Sequence, residues 1–100
     1  MLLYNVTFGI DKAIETEWIL WMKTHYISSL MNTGLFVDYR MYKVLTHDDD
    51  TSVSYSVQCF AKNIEDVLKY LNEYAHEITE LHRETFKDKH VAFNTLLEEI

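Results

Sequence analysis

Hydrophobic residues along this chain repeat in six successive stretches: alternating, helical, alternating, alternating, helical, alternating. Strand side chains switch faces at every residue, whereas helix side chains return about every 3.6 residues. Each stretch therefore selects one kind of element. With Gly 2 and Pro 0 among 100 residues, little interrupts them. Long elements joined by short polar turns are the expected outcome.

Residues 2–10 alternate as a first strand, with Leu2, Tyr4, Val6, Phe8 and Ile10 on one face and Leu3, Asn5, Thr7 and Gly9 on the other. Asp11 offers an N-cap carboxylate for a helix over about residues 12–31. Ile14, Trp18, Trp21, Met22 and His25 fall on one face of that helix, and Gly34 suits the left-handed position after its end. Residues 35–45 and 52–61 read as an antiparallel hairpin with a polar tip at residues 46–51. The tip's three aspartates lack the alternate spacing, glycine and distal glutamate of a calcium loop. Asn63 caps a second helix with an inward stripe of Ile64, Val67, Leu68, Leu71, Ala75, Ile78 and His82. It ends near Phe86; Lys87-Asp88-Lys89 is a turn, and residues 90–97 form the last strand.

This order is βαββαβ, an α+β ferredoxin-like unit spanning residues 1–100 as a single domain. Right-handed crossovers put both helices on one face of a four-stranded antiparallel sheet in the order 4-1-3-2. The face under the helices gathers Tyr4, Val6 and Phe8 with Val53, Tyr55, Val57 and Cys59. The other gathers Leu3, Asn5 and Thr7 with Ser54, Ser56, Gln58 and Phe60. That second face is too mixed for a core yet apolar enough to favour cover, so a homodimer with apposed sheets is expected.

Composition narrows the function. The net charge of −7 is spread evenly, with four basic against seven acidic side chains in residues 1–50 and five against nine in 51–100. No basic cluster exists to meet nucleic acid or an anionic membrane surface. No apolar run approaches spanning length, the amino terminus lacks the basic start of a signal peptide, and the cytoplasm is the expected compartment. Cys59, the lone cysteine, lies in a strand and reads as a buried reduced thiol. Glycine-rich phosphate loops, nucleophile elbows, paired-cysteine zinc patterns and the His-Glu-x-x-His helix are all missing. No cofactor and no metal are expected.

Several segments resemble a known family: Trp18-Ile19-Leu20-Trp21-Met22-Lys23, His25-Tyr26-Ile27, Met31-Asn32-Thr33-Gly34-Leu35-Phe36, Arg40-Met41, Tyr55-Ser56-Val57-Gln58 and Val91-Ala92-Phe93-Asn94-Thr95-Leu96-Leu97. Together they are similar to a family of bacterial proteins of this length and unknown function. The resemblance implies a ferredoxin-like fold of the dimeric α/β-barrel group and no activity. That group holds haem-degrading and quinol-forming monooxygenases, muconolactone isomerases and stress-responsive proteins, and fold cannot choose among them.

Candidate chemistry centres on His25 and His82, both placed on inward helical stripes where an imidazole can act as acid, base or ligand. A hydrogen-bonded core histidine is the plainer account of each. His76 sits six residues before His82 and points elsewhere; His47 at the hairpin tip and His90 at a turn edge are expected in solvent. Asn5 on the first strand matches, by resemblance, the asparagine of the haem-degrading enzymes, but Tyr70 stands near the position of their tryptophan. Trp18 and Trp21 suit either an aromatic ligand's pocket or simple core. Arg40, if it faces inward, offers a fork for an anion; a salt bridge to Asp38, Glu17 or a partner subunit is the alternative. Tyr55 could supply a phenol hydroxyl. Two functions follow from these residues: a small dimer binding a metabolite or protein, or a cofactor-independent monooxygenase or isomerase of small aromatic compounds. A roomy cavity beneath the helices with both histidines pointing in favours the enzyme; side chains filling it favour the binder.

Overall fold

The computed structural model describes residues 1–46, 49–87 and 89–100. Strand β1 (Leu2–Asp11) leads directly into a helical run, because the Asp11 carboxylate accepts the Ala13 N–H at 2.8 Å. The run comprises a 3-10 turn (Lys12–Ile14), α1 (Glu15–Trp21), a π-helical turn (Met22–Tyr26) and α2 (Ile27–Asn32). Gly34 then takes φ 76°, with its N–H bonded to the Met31 carbonyl, as expected for the residue after a helix end.

Strands β2 (Asp38–Val44) and β3 (Ser52–Ala61) pair antiparallel. At their turn, Asp49 Oδ1 accepts the Thr51 and Ser52 N–H groups, so this carboxylate holds the chain in its turn. His47 and Asp48 in that tip, and Asp88 in the later turn, lie outside the described residues. Helix α3 (Ile64–Glu73) is capped by Asn63, whose side chain accepts the Asp66 N–H at 3.0 Å. A break at Tyr74 separates it from α4 (Ala75–Thr85), and β4 (His90–Glu98) closes the sheet in the order β2-β3-β1-β4.

The register places Tyr4 opposite Cys59, Val6 opposite Val57, and Phe8 opposite Tyr55. These side chains face the helices and are buried with Trp18, Met22, Leu30, Val67 and Tyr70. Both helical layers thus cover one side of the sheet, and Leu3, Asn5, Thr7, Ser54, Ser56, Gln58 and Phe60 share the open side. Along β4, Ala92, Asn94 and Leu96 pair with Phe8, Val6 and Tyr4 on the helix side, while Val91, Phe93 and Leu97 join the open one.

Two inward stripes need correction. On the second helical segment Ile64, Leu68 and Leu71 are exposed, and the buried line runs Val67, Tyr70, His82 and Phe86, with Tyr74, Ala75 and Ile78 partly covered. The line follows steps of three and four on the aromatic side of the helix, which buries more area per residue than the aliphatic flank. On the first segment His25 is exposed and Tyr26 is buried in its stead. The π turn is the cause: the Ile27 N–H reaches five residues back to the Met22 carbonyl, so each residue there turns through a smaller angle than in an α-helix. Position 26, not 25, then comes round to the core.

Candidate site beneath the helices

Two aromatic clusters occupy the space between helices and sheet. The first surrounds His82, 3% exposed on α4. The Trp18 indole Nε1–H donates to His82 Nε2 at 2.9 Å, which leaves the lone pair on Nε2 and assigns the ring proton of the neutral form to Nδ1. Phe8, Trp21, Tyr26, Phe86 and His90 pack around the ring, with centroid separations of 4.8, 5.7, 6.1, 5.5 and 4.5 Å. Burial pushes the imidazole pKa down to about 4, helped by the nearby charge of His90. A neutral ring whose one lone pair is engaged by an indole is a poor base and an unavailable ligand.

The second cluster is phenolic. Tyr4, Tyr26 and Tyr70 are all buried, with Tyr4 against Tyr70 at 5.5 Å and Phe36 against both. Burial raises the pKa of each hydroxyl, and the charges of the other phenols and of Cys59 raise them further for Tyr26 and Tyr70. Asn94 Nδ2 donates to the Tyr4 hydroxyl at 3.1 Å from β4. Beside this cluster lies a cavity of about 160 Å³ lined by Tyr4, Val6, Phe8, Tyr26, Thr79, Ala92, Phe93 and Asn94. The cavity is half open: the buried Tyr4, Val6, Phe8 and Tyr26 form its inner wall, and the exposed Thr79, Ala92, Phe93 and Asn94 form its mouth. Its volume is about that which holds one six-membered ring.

The remaining sequence candidates scatter. Trp18 joins His82 and also packs against Tyr55, whose hydroxyl donates to the Glu15 carboxylate. Trp21 is half-buried between His82 and His25. His25 itself sits outside, stacked on Trp21 and bonded to the Thr24 hydroxyl, at the rim of an open cleft between α1 and the end of α4. Its expected place under cover is therefore overturned by the π turn. Arg40 does not face inward: it pairs with Gln58 on the open side, bridges Asp38 and lies over Phe60. Asn5 also points to the open side, where its side chain bonds Thr7 and Ser56, so it cannot meet a ligand beneath the helices. His90 departs from its expected solvated state because it pairs with Ile10 on the helix side, against His82.

Among the described residues, no group of three His, Cys, Asp or Glu side chains is placed to hold a metal ion. None of their helices is long and apolar enough to cross a membrane.

The family model for a domain of unknown function, DUF4286, matches residues 1–100. The chain belongs to this family. Among curated proteins, none matches it. Among solved structures, this DUF4286 chain is similar to HapK from Hahella chejuensis, at 9% identity over 100% of this chain and 93% of that one, with TM-score 0.69. It is similar also to a dimeric ferredoxin-like protein from an uncultured marine organism (13%, 100% and 95%, TM-score 0.67). A third is SnoaB, a cofactor-independent oxygenase from Streptomyces nogalater (12%, 99% and 93%, TM-score 0.59). At such identities the likeness is one of fold: a four-stranded antiparallel sheet with helices on one side.

Sequence reasoning missed Tyr4, Tyr26 and Asn94 as cavity residues. Asn94 had a signal: strand alternation puts it on the helix side of β4 between Ala92 and Leu96, an odd place for an amide without a partner. Tyr26 had none short of the π turn.

Proposed function

We propose that this DUF4286 protein is a cytoplasmic homodimer that binds a small molecule in the cavity between its helices and β4, without transforming it. One observation carries the reading: among the described residues, Trp18, Phe8, Tyr26 and Tyr70 pack into the space beneath the helices, a half-open ring-sized cavity remains on the β4 side, and the buried His82 is engaged by Trp18. The cavity is lined by phenols, an amide and apolar groups, and no carboxylate, ammonium or imidazole reaches it. Such a lining recognises and does not transfer protons.

Homodimerisation is supported by the open sheet face. Val91 and Phe93 on β4 are 71% and 63% exposed there, with Leu97 on the same strand and Tyr42 on β2 at the opposite edge also exposed. A second sheet laid over them would cover an apolar stripe, with the Asn5–Ser56 pair as an internal polar seam.

The test is ligand-observed NMR with neutral six-membered-ring fragments on the wild type and on Ala92→Leu, which fills the cavity. Binding to the wild type and its loss in the variant are expected. Equal behaviour of the two proteins overturns the reading. Sedimentation at micromolar concentration gives the second arm: a species of twice the 11.9 kDa chain mass is expected, and a monomer alone sinks the dimer.

A cofactor-independent oxygenase or isomerase is the second reading, favoured by the fold shared with SnoaB. It requires His82 to leave Trp18 and turn to the cavity, and its test is oxygen consumption with aromatic substrates, lost in His82→Gln.

A further inference from the structure

The cavity's polar groups are unbalanced in a way that specifies its occupant. Tyr26 is 4% exposed, and its hydroxyl makes no hydrogen bond among the described residues. No fully buried side-chain nitrogen or oxygen among them lacks a partner, so this hydroxyl keeps some open surface, and the space Tyr26 lines is the cavity. The Tyr4 hydroxyl, 7% exposed as a residue, accepts the Asn94 amide with its lone pair. Its own proton meets no acceptor among the described residues.

Two phenols whose O–H protons meet no acceptor among the described residues thus line one small, half-open cavity. Both stay protonated through the ordinary pH range, since burial raises each phenol's pKa. The inner wall is otherwise Val6 and Phe8; the exposed Ala92 and Thr79 flank the mouth, and β4 passes its rim at Phe93. A charged guest would give up part of its hydration against the buried inner wall, with no counter-charge among the lining residues to meet it. A pure hydrocarbon would leave buried donors unanswered.

Resting on the reading above of this cavity as a binding site, the geometry points to a single ligand class: an uncharged six-membered-ring compound whose carbonyl oxygen accepts from the Tyr26 and Tyr4 hydroxyls. The ring fills the benzene-sized volume against Phe8 and Ala92. The oxygen sits at the phenolic end. Proton donation here is hydrogen bonding only, and no bond of the ligand is made or broken.

Three probes of nearly one shape separate the contributions: cyclohexanone, methylenecyclohexane, in which CH2 replaces the oxygen, and cyclohexanecarboxylate. Chemical-shift titration of the full chain is expected to show cyclohexanone tightest, perturbing Tyr26, Ala92 and Asn94. Tyr26→Phe keeps the ring and removes one donor, and a weakening of roughly fivefold for cyclohexanone is expected, with methylenecyclohexane unchanged. Tyr70→Phe, a buried phenol away from the cavity lining, serves as the control and leaves cyclohexanone binding as it was. Equal affinity for cyclohexanone and methylenecyclohexane, or no effect of Tyr26→Phe, overturns the ligand class while the binding cavity stands. Tighter binding of the carboxylate overturns it as well. If none of the three perturbs the cavity residues, the binding reading falls, and this inference with it.

Discussion

The indole of Trp18 and the imidazole of His82 stand 64 residues apart in sequence and share one buried hydrogen bond of 2.9 Å. It ties α1 to α4 over the centre of β1, where Phe8 touches both rings. Each partner satisfies the other's polar atom in a place where water cannot. Trp18→Phe keeps an aromatic ring but leaves His82 Nε2 unanswered and opens a small void. A loss of about 2–4 kcal/mol is expected. Urea unfolding reads this as a lower midpoint at unchanged slope. A shift below about 1 kcal/mol shows that the bond contributes little.

The same histidine sets an acid limit on the fold. Its pKa is about 4 in the folded chain against 6.5 unperturbed, so the unfolded chain binds the proton first as pH falls. Stability rises with pH wherever the unfolded state holds more protons. The contribution of His82 is therefore complete above about pH 6.5 and drains away between there and pH 4, to a total of roughly 3 kcal/mol. Asp38, Asp49 and Glu80, whose pKa values are lowered by hydrogen bonds, act in the other window, below their ordinary carboxylate range. His82→Gln keeps an acceptor for Trp18 and removes the titration. Its stability curve is expected to be shallower between pH 6.5 and about 5, above the carboxylate range, where the wild type slopes; parallel curves refute the assignment.

Strand parity made the sheet readable, because which face a side chain takes depends only on its neighbours along the strand. Tyr4, Val6 and Phe8 meet Cys59, Val57 and Tyr55 as alternation requires, and Asn5 takes the opposite side for the same reason. His25 was not readable. Its orientation depends on one residue of slippage in the helical ladder at Met22–Tyr26, where the Thr24 hydroxyl bonds the Leu20 carbonyl and competes with the backbone for it. The cavity was beyond reach for another reason. Its size depends on how far the helices stop short of β4, and no local pattern encodes a gap between elements. The break at Tyr74 belongs with these, since α3 and α4 read as one amphipathic stretch.

Cys59 gives a prediction about reactivity. The thiol lies 1% exposed near the end of β3, on the side under the helices, and burial pushes its pKa up to about 12. Only the thiolate attacks a disulfide, and at pH 8 almost none is present. An aromatic disulfide reagent is expected to leave the native protein unlabelled for hours and to titrate one thiol per chain in urea. Prompt labelling of the native protein would show that β3 opens, or that the thiol is not covered as described.

The open sheet face supplies the last expectation. Phe93 stands next to Thr7 across the β1–β4 register, with Val91 and Leu97 two and four residues away on the same side. Covering these side chains is favourable by about 25 cal/mol for each Å² of apolar surface removed from water. A carboxylate placed there by Phe93→Glu would lose its hydration under a second sheet, with no cation among the described residues of this stripe to meet it, and an unpaired charge in a closing interface costs several kcal/mol. The substitution is expected to convert a dimer to monomer in sedimentation while the far-ultraviolet circular dichroism stays that of the wild type, because Phe93, 63% exposed, is not one of the buried core residues. Retention of the dimer would move the interface to another surface, with the exposed Ile64, Leu68 and Leu71 flank of α3 the next to be substituted.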